Sequence, residues 1–307
     1  MAERDLIEHL VSVVGEAHES WLDVGIGDDA AVITAPGRGE LAVTTDLLVE
    51  GVHFAAQTSL ALAGRKAVAR ALSDLAAMAA RPLCSLAAVH FGRASTGADA
   101  RELLEAVART CDEFSAPLIG GDTAAGGASL CVCVTALGTP GPGGFARRSG
   151  ARAGDAVCVT GALGGSSGGH HLRFTPRIAE ALALAAECDL HALIDVSDGL
   201  STDALHIAEA SGVGLTLWAR YVPVSGEAMA LAGGDRQQAL RRALDDGEDY
   251  ELLFCLPPRQ ARLLAGRGVL GLSVSLIGEV TRDRDSLLVM PDGDSVPLRP
   301  GGWEHLL

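Results

Sequence analysis

Positive charge is scarce in this sequence of 307 residues: Lys and Arg number 24 against 39 Asp and Glu, a formal net charge of -15. A nucleic-acid binder neutralises phosphates with clustered cations, so this balance argues against that class. It argues equally against a polybasic membrane-surface protein. Long apolar runs are also missing; none approaches the roughly 18 residues that span a bilayer. The first residues carry Glu3, Arg4 and Asp5 and no signal-peptide core follows them. No nucleic-acid or membrane partner is therefore expected. The 7 cysteines are odd in number and form no CxxC pair. Cys131 and Cys133 would share one face of a strand, as small buried hydrophobes rather than a zinc site. A cytoplasmic, reducing location fits this usage. Lysine is nearly absent: Lys66 stands alone among many arginines, which base composition is enough to explain.

What is present is apolar bulk. Hydrophobic types make up 48% and charged types 21%, which excludes a disordered chain. The length exceeds the usual size of a single core, so two domains are expected. Strand and helix signals alternate, giving a mixed α/β class. Strands are expected over 31–34, 41–45, 83–91 and 130–137, and helices over 62–80 and 99–114. The helix over 99–114 would bury Leu103, Leu104, Val107 and Cys111 on one face. The run Thr-Pro-Gly-Pro-Gly-Gly at 139–144 cannot be regular structure. It divides an N-terminal domain, 1–145, from a C-terminal α/β domain, 146–307. Beyond it, strands are expected over 156–160, 193–196, 214–218 and 251–256, with helices over 177–187, 200–210, 237–244 and 260–264.

Aspartates recur at turns and strand ends. Gly25-Ile26-Gly27-Asp28-Asp29-Ala30 matches a GxGxxA dinucleotide fingerprint, but 31–34 reads as a strand, not as the helix such a loop must open. Paired aspartates would also repel a pyrophosphate. A tight turn offering oxygens to a hard cation is the better reading, with a solvated Asp-Asp turn as the alternative. Asp46 closes the first convincing strand, where ligand groups collect in α/β folds. His53 follows it, as ligand or surface histidine. Asp74 interrupts an apolar helix, where a buried carboxylate is costly without a cation and an exposed one is ordinary. Gly120-Gly121-Asp122-Thr123 is either a close backbone approach to a ligand or a plain turn. In Asp195-Val196-Ser197-Asp198-Gly199, Ser197 or Asp198 could cap the following helix, whose first N–H groups could also hold phosphate oxygens. The acidic segment 246–251 is a functional turn or a solvated loop.

Taken together, so many carboxylates without matching cations would repel one another if they converged unpaired. Convergence on magnesium removes the repulsion and couples naturally to polyphosphates. There is no GxxxxGK[ST] loop and no protein-kinase H-R-D or D-F-G set.

The segments GIGDDAAV, TTDLLVEGVHF, LSDLAAM, IGGDT, RRSGA, VTGALGG, HLRFTPRI, IDVSDGLSTD, GEDYELLF and GGWEHL together resemble the thiamine-monophosphate kinases. That family sits in the superfamily of aminoimidazole ribonucleotide synthetase, and the resemblance runs from about Ile26 to Trp303. It implies a two-domain fold whose N-terminal domain forms a barrel across a homodimer. It implies ATP-dependent, direct in-line phosphorylation of thiamine monophosphate to thiamine diphosphate, assisted by Mg2+. By position, Asp29, Thr44, Thr45, Asp46, Asp74, Asp122, Asp195 and Asp198 match magnesium ligands. Gly121, Asp122, Arg148 and Ser197 match nucleotide contacts. His53, Glu248 and Trp303 match substrate contacts. Asp46, Asp74, Asp122, Arg148 and Asp198 would then carry catalysis. The chain departs from the family pattern at Ala71, Ala124, Ala125, Gly165 and Phe174, which bear on nucleotide affinity and substrate. The alternatives are a sibling enzyme with another acceptor, or a weakened binding protein for thiamine phosphates or nucleotides.

Overall fold

A computed structural model describes residues 21–302, apart from 26, 36, 38, 93 and 128. Its first half comprises β1 (Leu22–Val24), β2 (Ala31–Ala35), β3 (Gly39–Val49), α1 (Leu60–Ala77), β4 (Ala80–Phe91), α2 (Gly97–Glu113), β5 (Leu118–Ala125) and β6 (Cys131–Pro140). The strands form one mixed sheet in the order β1-β2-β3-β6-β4-β5, in which only β4 and β5 run parallel. Side chains alternate across the pleat. Ala42, Leu48, Ala87, Val89, Val132 and Val134 are buried on one face, in a cluster that includes α1 and α2 residues. The alternate positions face outward with large apolar side chains, among them Leu47 (52% exposed) and Ile119 (65%).

α1 starts at Ser59, whose hydroxyl accepts the Leu62 N–H at 3.3 Å. Its alanine content favours helix, and residues from Ala63 to Ala77 are buried on nearly every side. Gly64 is what lets α2 come close: a Cβ there would lie 3.0 Å from Ala106 Cβ and 3.1 Å from the Leu103 carbonyl. α2 opens with a reciprocal capping box between Thr96 and Asp99.

The second half comprises β7 (Ala156–Thr160), α3 (Ile178–Glu187), β8 (Ala192–Asp195), α4 (Leu200–Ser211), β9 (Gly214–Trp218), α5 (Gly226–Leu231), α6 (Arg236–Asp245), β10 (Leu252–Leu256), α7 (Pro258–Arg267), β11 (Val274–Thr281), β12 (Leu287–Val289) and β13 (Ser295–Pro297). The sheet order is β13-β12-β9-β11-β7-β10-β8, antiparallel except for β12 with β9. β7, β8 and β10 are buried along their whole length, as strands covered on both faces must be. Ile207 of α4 and Leu240 of α6 cover one face, and Leu184 of α3 and Leu264 of α7 the other.

The mixed α/β architecture with two sheets agrees with the expectation, and β2 confirms that no helix follows the Asp28-Asp29 turn. Three differences stand out. Gly120 to Thr123 lie inside β5, not in a turn, because pairing with β4 overrides their turn-like composition. β11 to β13 and α5 add elements that no sequence signal marked. Cys131 and Cys133 share a face of β6, but they are half-buried, because the outer face of that sheet is uncovered. Among the described residues no helix is long and apolar enough to cross a membrane.

Candidate active site

The two halves meet along α1. Ser73 of α1 donates its hydroxyl to Asp195 Oδ2 at the end of β8, 2.5 Å away. The next residue, Asp74, accepts the Thr44 hydroxyl of β3 at 2.5 Å. Asp29, from the turn before β2, completes a trio: carboxylate oxygens of Asp29, Asp74 and Asp195 all lie within 4.8 Å of one another. The three come from widely separated parts of the chain and are buried or half-buried. Burial raises the Asp74 pKa well above the carboxylate range, and Asp46, Asp195 and Asp29 push it further. Burial, then Asp29, raises Asp195 to about 7. Asp28 is raised to about 6 by burial and by Asp29.

One guanidinium answers this charge. Arg148 donates Nε to Asp29 Oδ2 at 2.9 Å and Nη2 to Asp29 Oδ1 at 2.8 Å, a bidentate pair. Its backbone N–H approaches both Asp28 oxygens at 3.3 Å. An all-oxygen donor set suits a hard divalent cation, which would displace the protons that burial favours on Asp74 and Asp195, so these residues fit Mg2+.

A cavity of about 180 Å³ opens beside the trio, walled by Asp46, His53, Arg70, Asp74, Asp198 and Glu248. Asp46 pairs with Arg70 of α1 at 3.2 Å. The Val49 N–H donates to His53 Nδ1 at 3.0 Å, which assigns that ring's proton to Nε2. Glu248 Oε1 lies 2.6 Å from Lys66 Nζ, and Oε2 lies 3.2 Å from His171 Nδ1. Burial acts to raise the Glu248 pKa, but His171 and Lys66 outweigh it and hold the carboxyl down to about 2.

Ser197 and Asp198 also line the cavity. Neither caps α4. The cap acts in reverse: buried Asp203, in the first turn of α4, accepts the N–H groups of Ser197 (3.1 Å), Asp198 (3.1 Å) and Gly199 (3.0 Å). Those N–H groups are therefore already occupied by a carboxylate. Asp198, Asp203 and His206 form a second trio within 4.8 Å.

Three expected residues, Thr45, Gly121 and Asp122, lie away from this cluster. Thr45 projects to the opposite face of β3 from Thr44, because neighbours on a strand alternate; its hydroxyl is 3.0 Å from Thr135 Oγ1 and 3.3 Å from Cys133 Sγ. Asp122 is exposed on β5, where it pairs in register with Ala88 of the uncovered face and accepts the Thr123 N–H at 2.8 Å. Gly121, beside it, has a packing reason: a Cβ there would sit 1.9 Å from the Ala87 carbonyl oxygen. Trp303 lies outside the described residues. The last described residue, Gly302, donates its N–H to Thr202 Oγ1 of α4 at 3.2 Å.

Sequence reasoning missed Lys66, Arg70, His171, Tyr250 and Asp203. The acidic segment 246–251 is no solvated loop. Asp249 and Glu251 are buried, Asp249 accepts the Gly164 N–H at 2.9 Å through each oxygen, and Glu251 pairs with Arg177. The Gly165 N–H donates to Asp246 Oδ2 at 3.0 Å. Acidic groups thus reach the Gly164-Gly165 loop from the segment before β10, the strand that pairs with β7. Phe174 stacks on Tyr250 with ring centroids 3.9 Å apart.

The model for the N-terminal domain of AIR synthase related proteins matches residues 27–139, and that for their C-terminal domain matches 163–290. A thiamine-monophosphate kinase of Rhodopirellula baltica is 38% identical over 266 residues, covering 84% of this chain and 83% of that protein. The thiamine-monophosphate kinase of Escherichia coli K12 is 34% identical over 307 residues, covering 92% of each. A solved structure described as AaThiL complexed with AMPPCP and TMP superposes with a TM-score of 0.84 at 28% identity, over 99% of this chain and 97% of that one.

Proposed function

The chain belongs to the thiamine-monophosphate kinases among the AIR synthase related proteins, and we propose that it uses this cleft to pass the terminal phosphoryl group of ATP to thiamine monophosphate. The products are thiamine diphosphate and ADP. The observation that carries the reading is the convergence of Asp29, Asp74 and Asp195, with Arg148, beside a cavity walled by Glu248.

Both reactants are anions, so their meeting must be screened. Asp29, Asp74 and Asp195, with Thr44 behind Asp74, would hold Mg2+, and Asp46 and Asp198 line the adjoining wall as further ligands. Bound there, the metal supplies charge neutralisation for the transferring group. Arg148 commits Nε and Nη2 to Asp29, which leaves Nη1 to meet a phosphate oxygen. The acceptor oxygen of a phosphate monoester is already deprotonated near neutral pH, so no strong general base is needed. That oxygen bonds to the γ-phosphorus as the bond to the β,γ-bridging oxygen breaks, and ADP leaves with the electron pair. No residue is phosphorylated on the way. Positioning is the main catalytic device. Glu248, held ionised, faces the cationic thiazolium or the aminopyrimidine, with His53 on the same wall and Trp303 stacking on a ring of the substrate.

The uncovered face of the first sheet supports a homodimer in which a second copy closes the barrel. Gly121 and Asp122 stand on the strand at that face, away from the trio, and would join the nucleotide site, with Ser197, only in the closed assembly. Residues 1–145 would then serve metal binding and dimerisation, and 146–307 would complete the cleft.

The test is direct. Purified protein is incubated with ATP, magnesium and thiamine monophosphate, and thiamine diphosphate and ADP are quantified by chromatography. Stoichiometric formation of both, abolished by EDTA, is expected. ADP without thiamine diphosphate would overturn the assigned acceptor, and neither product would overturn the enzyme.

A further inference from the structure

Lys66, the sole lysine of the sequence, is 0% exposed. A lysine beside a phosphoryl-transfer site ordinarily reads as a phosphate ligand, a mobile point charge reaching into the cleft. The surroundings of Lys66 forbid that. Its Nζ lies 2.6 Å from Glu248 Oε1, 2.6 Å from the His53 carbonyl oxygen and 2.7 Å from His171 Nδ1. His171 Nδ1 accepts from Lys66 when it carries no proton and donates to Glu248 when it carries one; in either state the fully buried ammonium is held by Glu248 and the His53 carbonyl and is closed to a ligand. It also does not line the cavity, whereas Glu248 does.

Glu248 is fixed from both sides. Its second oxygen lies 3.2 Å from His171 Nδ1, and the Tyr250 hydroxyl is 3.5 Å from the first. The backbone is constrained as well. Glu248 (φ +54°) and Tyr250 (φ +52°) are non-glycine residues in the left-handed region, a conformation that persists only where its surroundings over-determine it. Those surroundings are present: the Glu248 N–H donates to the Ser197 carbonyl at 2.7 Å, the Tyr250 N–H donates to the Val196 carbonyl at 2.8 Å, and Phe174 stacks on the Tyr250 ring. α1, the 3-10 turn that carries His171 and the strained segment before β10 therefore converge on one carboxylate.

We propose that Lys66 and His171 are positioning residues that hold the Glu248 carboxylate charged and in a single place on the cavity wall, so that the site selects the cationic organic half of its acceptor. The inference rests on the kinase reading given above. It assigns selectivity for the organic half to a buried ion network, and phosphate recognition to Arg148 and the Mg2+ that the aspartates would hold.

The experiment compares wild type with Lys66→Met, His171→Gln, Glu248→Gln and the Lys66→Met/Glu248→Gln double variant. Steady-state KM values are measured for thiamine monophosphate and, separately, for ATP. Wild-type turnover is recorded first, because its failure would sink the kinase reading and not the network. In that case binding of thiamine monophosphate to each variant is read by calorimetry. Lys66→Met and Glu248→Gln are each expected to raise the thiamine monophosphate KM by about tenfold or more, the loss of a hydrogen-bonded charge, with the ATP KM moving less than about twofold. The double variant is expected to be no worse than the poorer single one, since Lys66 acts through Glu248. An equal rise in both KM values would overturn the proposal. So would a fall in kcat with the thiamine monophosphate KM unmoved, or additive effects in the double variant. Should Lys66→Met fail to fold, His171→Gln carries the same expectation at smaller size, and an unchanged thiamine monophosphate KM there would overturn it.

Discussion

At the scale of single residues the site is defined by carboxylates that do not match their surroundings. Asp74 is half-buried, has Asp29 and Asp195 within ligand distance and accepts the Thr44 hydroxyl. Asp74→Asn removes a metal ligand while keeping the shape. Its activity is expected to fall by about a hundredfold or more. The fold should survive, and the rise in unfolding temperature caused by MgCl2 in wild type should shrink; an active Asp74→Asn enzyme would remove the metal role. Glu248 makes a different prediction. Its pKa is depressed from 4.5 to about 2, so its contribution to stability is complete above pH 4.5 and disappears as pH falls toward 2. Wild type should therefore lose urea stability more steeply than Glu248→Gln over that interval, and parallel curves would contradict the ion network. These residues were not equally legible. Asp29, Asp74 and Asp195 stand out because they sit at a glycine turn, in an apolar helix and at a strand end, where converging carboxylates need a cation. Thr45 could have been separated from Thr44 by period-2 alternation, since Ala42, Thr44 and Leu48 are the buried series. Lys66 carried no pattern at all, and only three-dimensional proximity to Glu248 gives it meaning.

At the scale of elements, α1 and β5 do the placing. α1 was readable as a helix from its alanine run, and its burial on nearly all sides makes it the wedge that brings Ser73 to Asp195 and Asp74 to Thr44. β5 was not readable, because Gly-Gly-Asp-Thr has turn composition and the strand exists only through its ladder with β4. β12 and β13, at three residues each, are too short to show any period. The glycine in β5 gives the sharpest test of that ladder. A methyl group at position 121 would lie 1.9 Å from the Ala87 carbonyl oxygen, a contact no side-chain movement can relieve because the obstacle is backbone. Gly121→Ala should cost about 1–3 kcal/mol or more of stability as the two strands separate. The loss would be read by chemical denaturation, in the absence of any nucleotide. Undiminished stability would show that the glycine is needed only by a ligand.

At the scale of the whole molecule, the second sheet has helices on both faces and the first has them on only one. Leu47, Leu83, Leu86 and Ile119 leave apolar side chains in water on the bare face, where Thr45, Thr135 and Cys133 also meet. A monomer has no physical reason to keep such a face, and two edge strands, β1 and β5, lie at its margins. A second copy would cover the face and close the edges at once, and would bring the exposed Asp122 of each chain into an enclosed space. A charge placed there should separate the copies. Leu86 of β4, in register with Thr135 of β6 and Gly120 of β5, lies on that face and is 37% exposed, so Leu86→Asp is expected to leave the folded chain intact. In sedimentation velocity the wild-type protein is expected at twice the chain mass and Leu86→Asp at the chain mass. If Gly121 and Asp122 work only in the closed assembly, kinase activity should fall with the dimer and recover at protein concentrations that restore it. A wild-type monomer with full activity would refute the barrel and return Asp122 to the role of a surface aspartate.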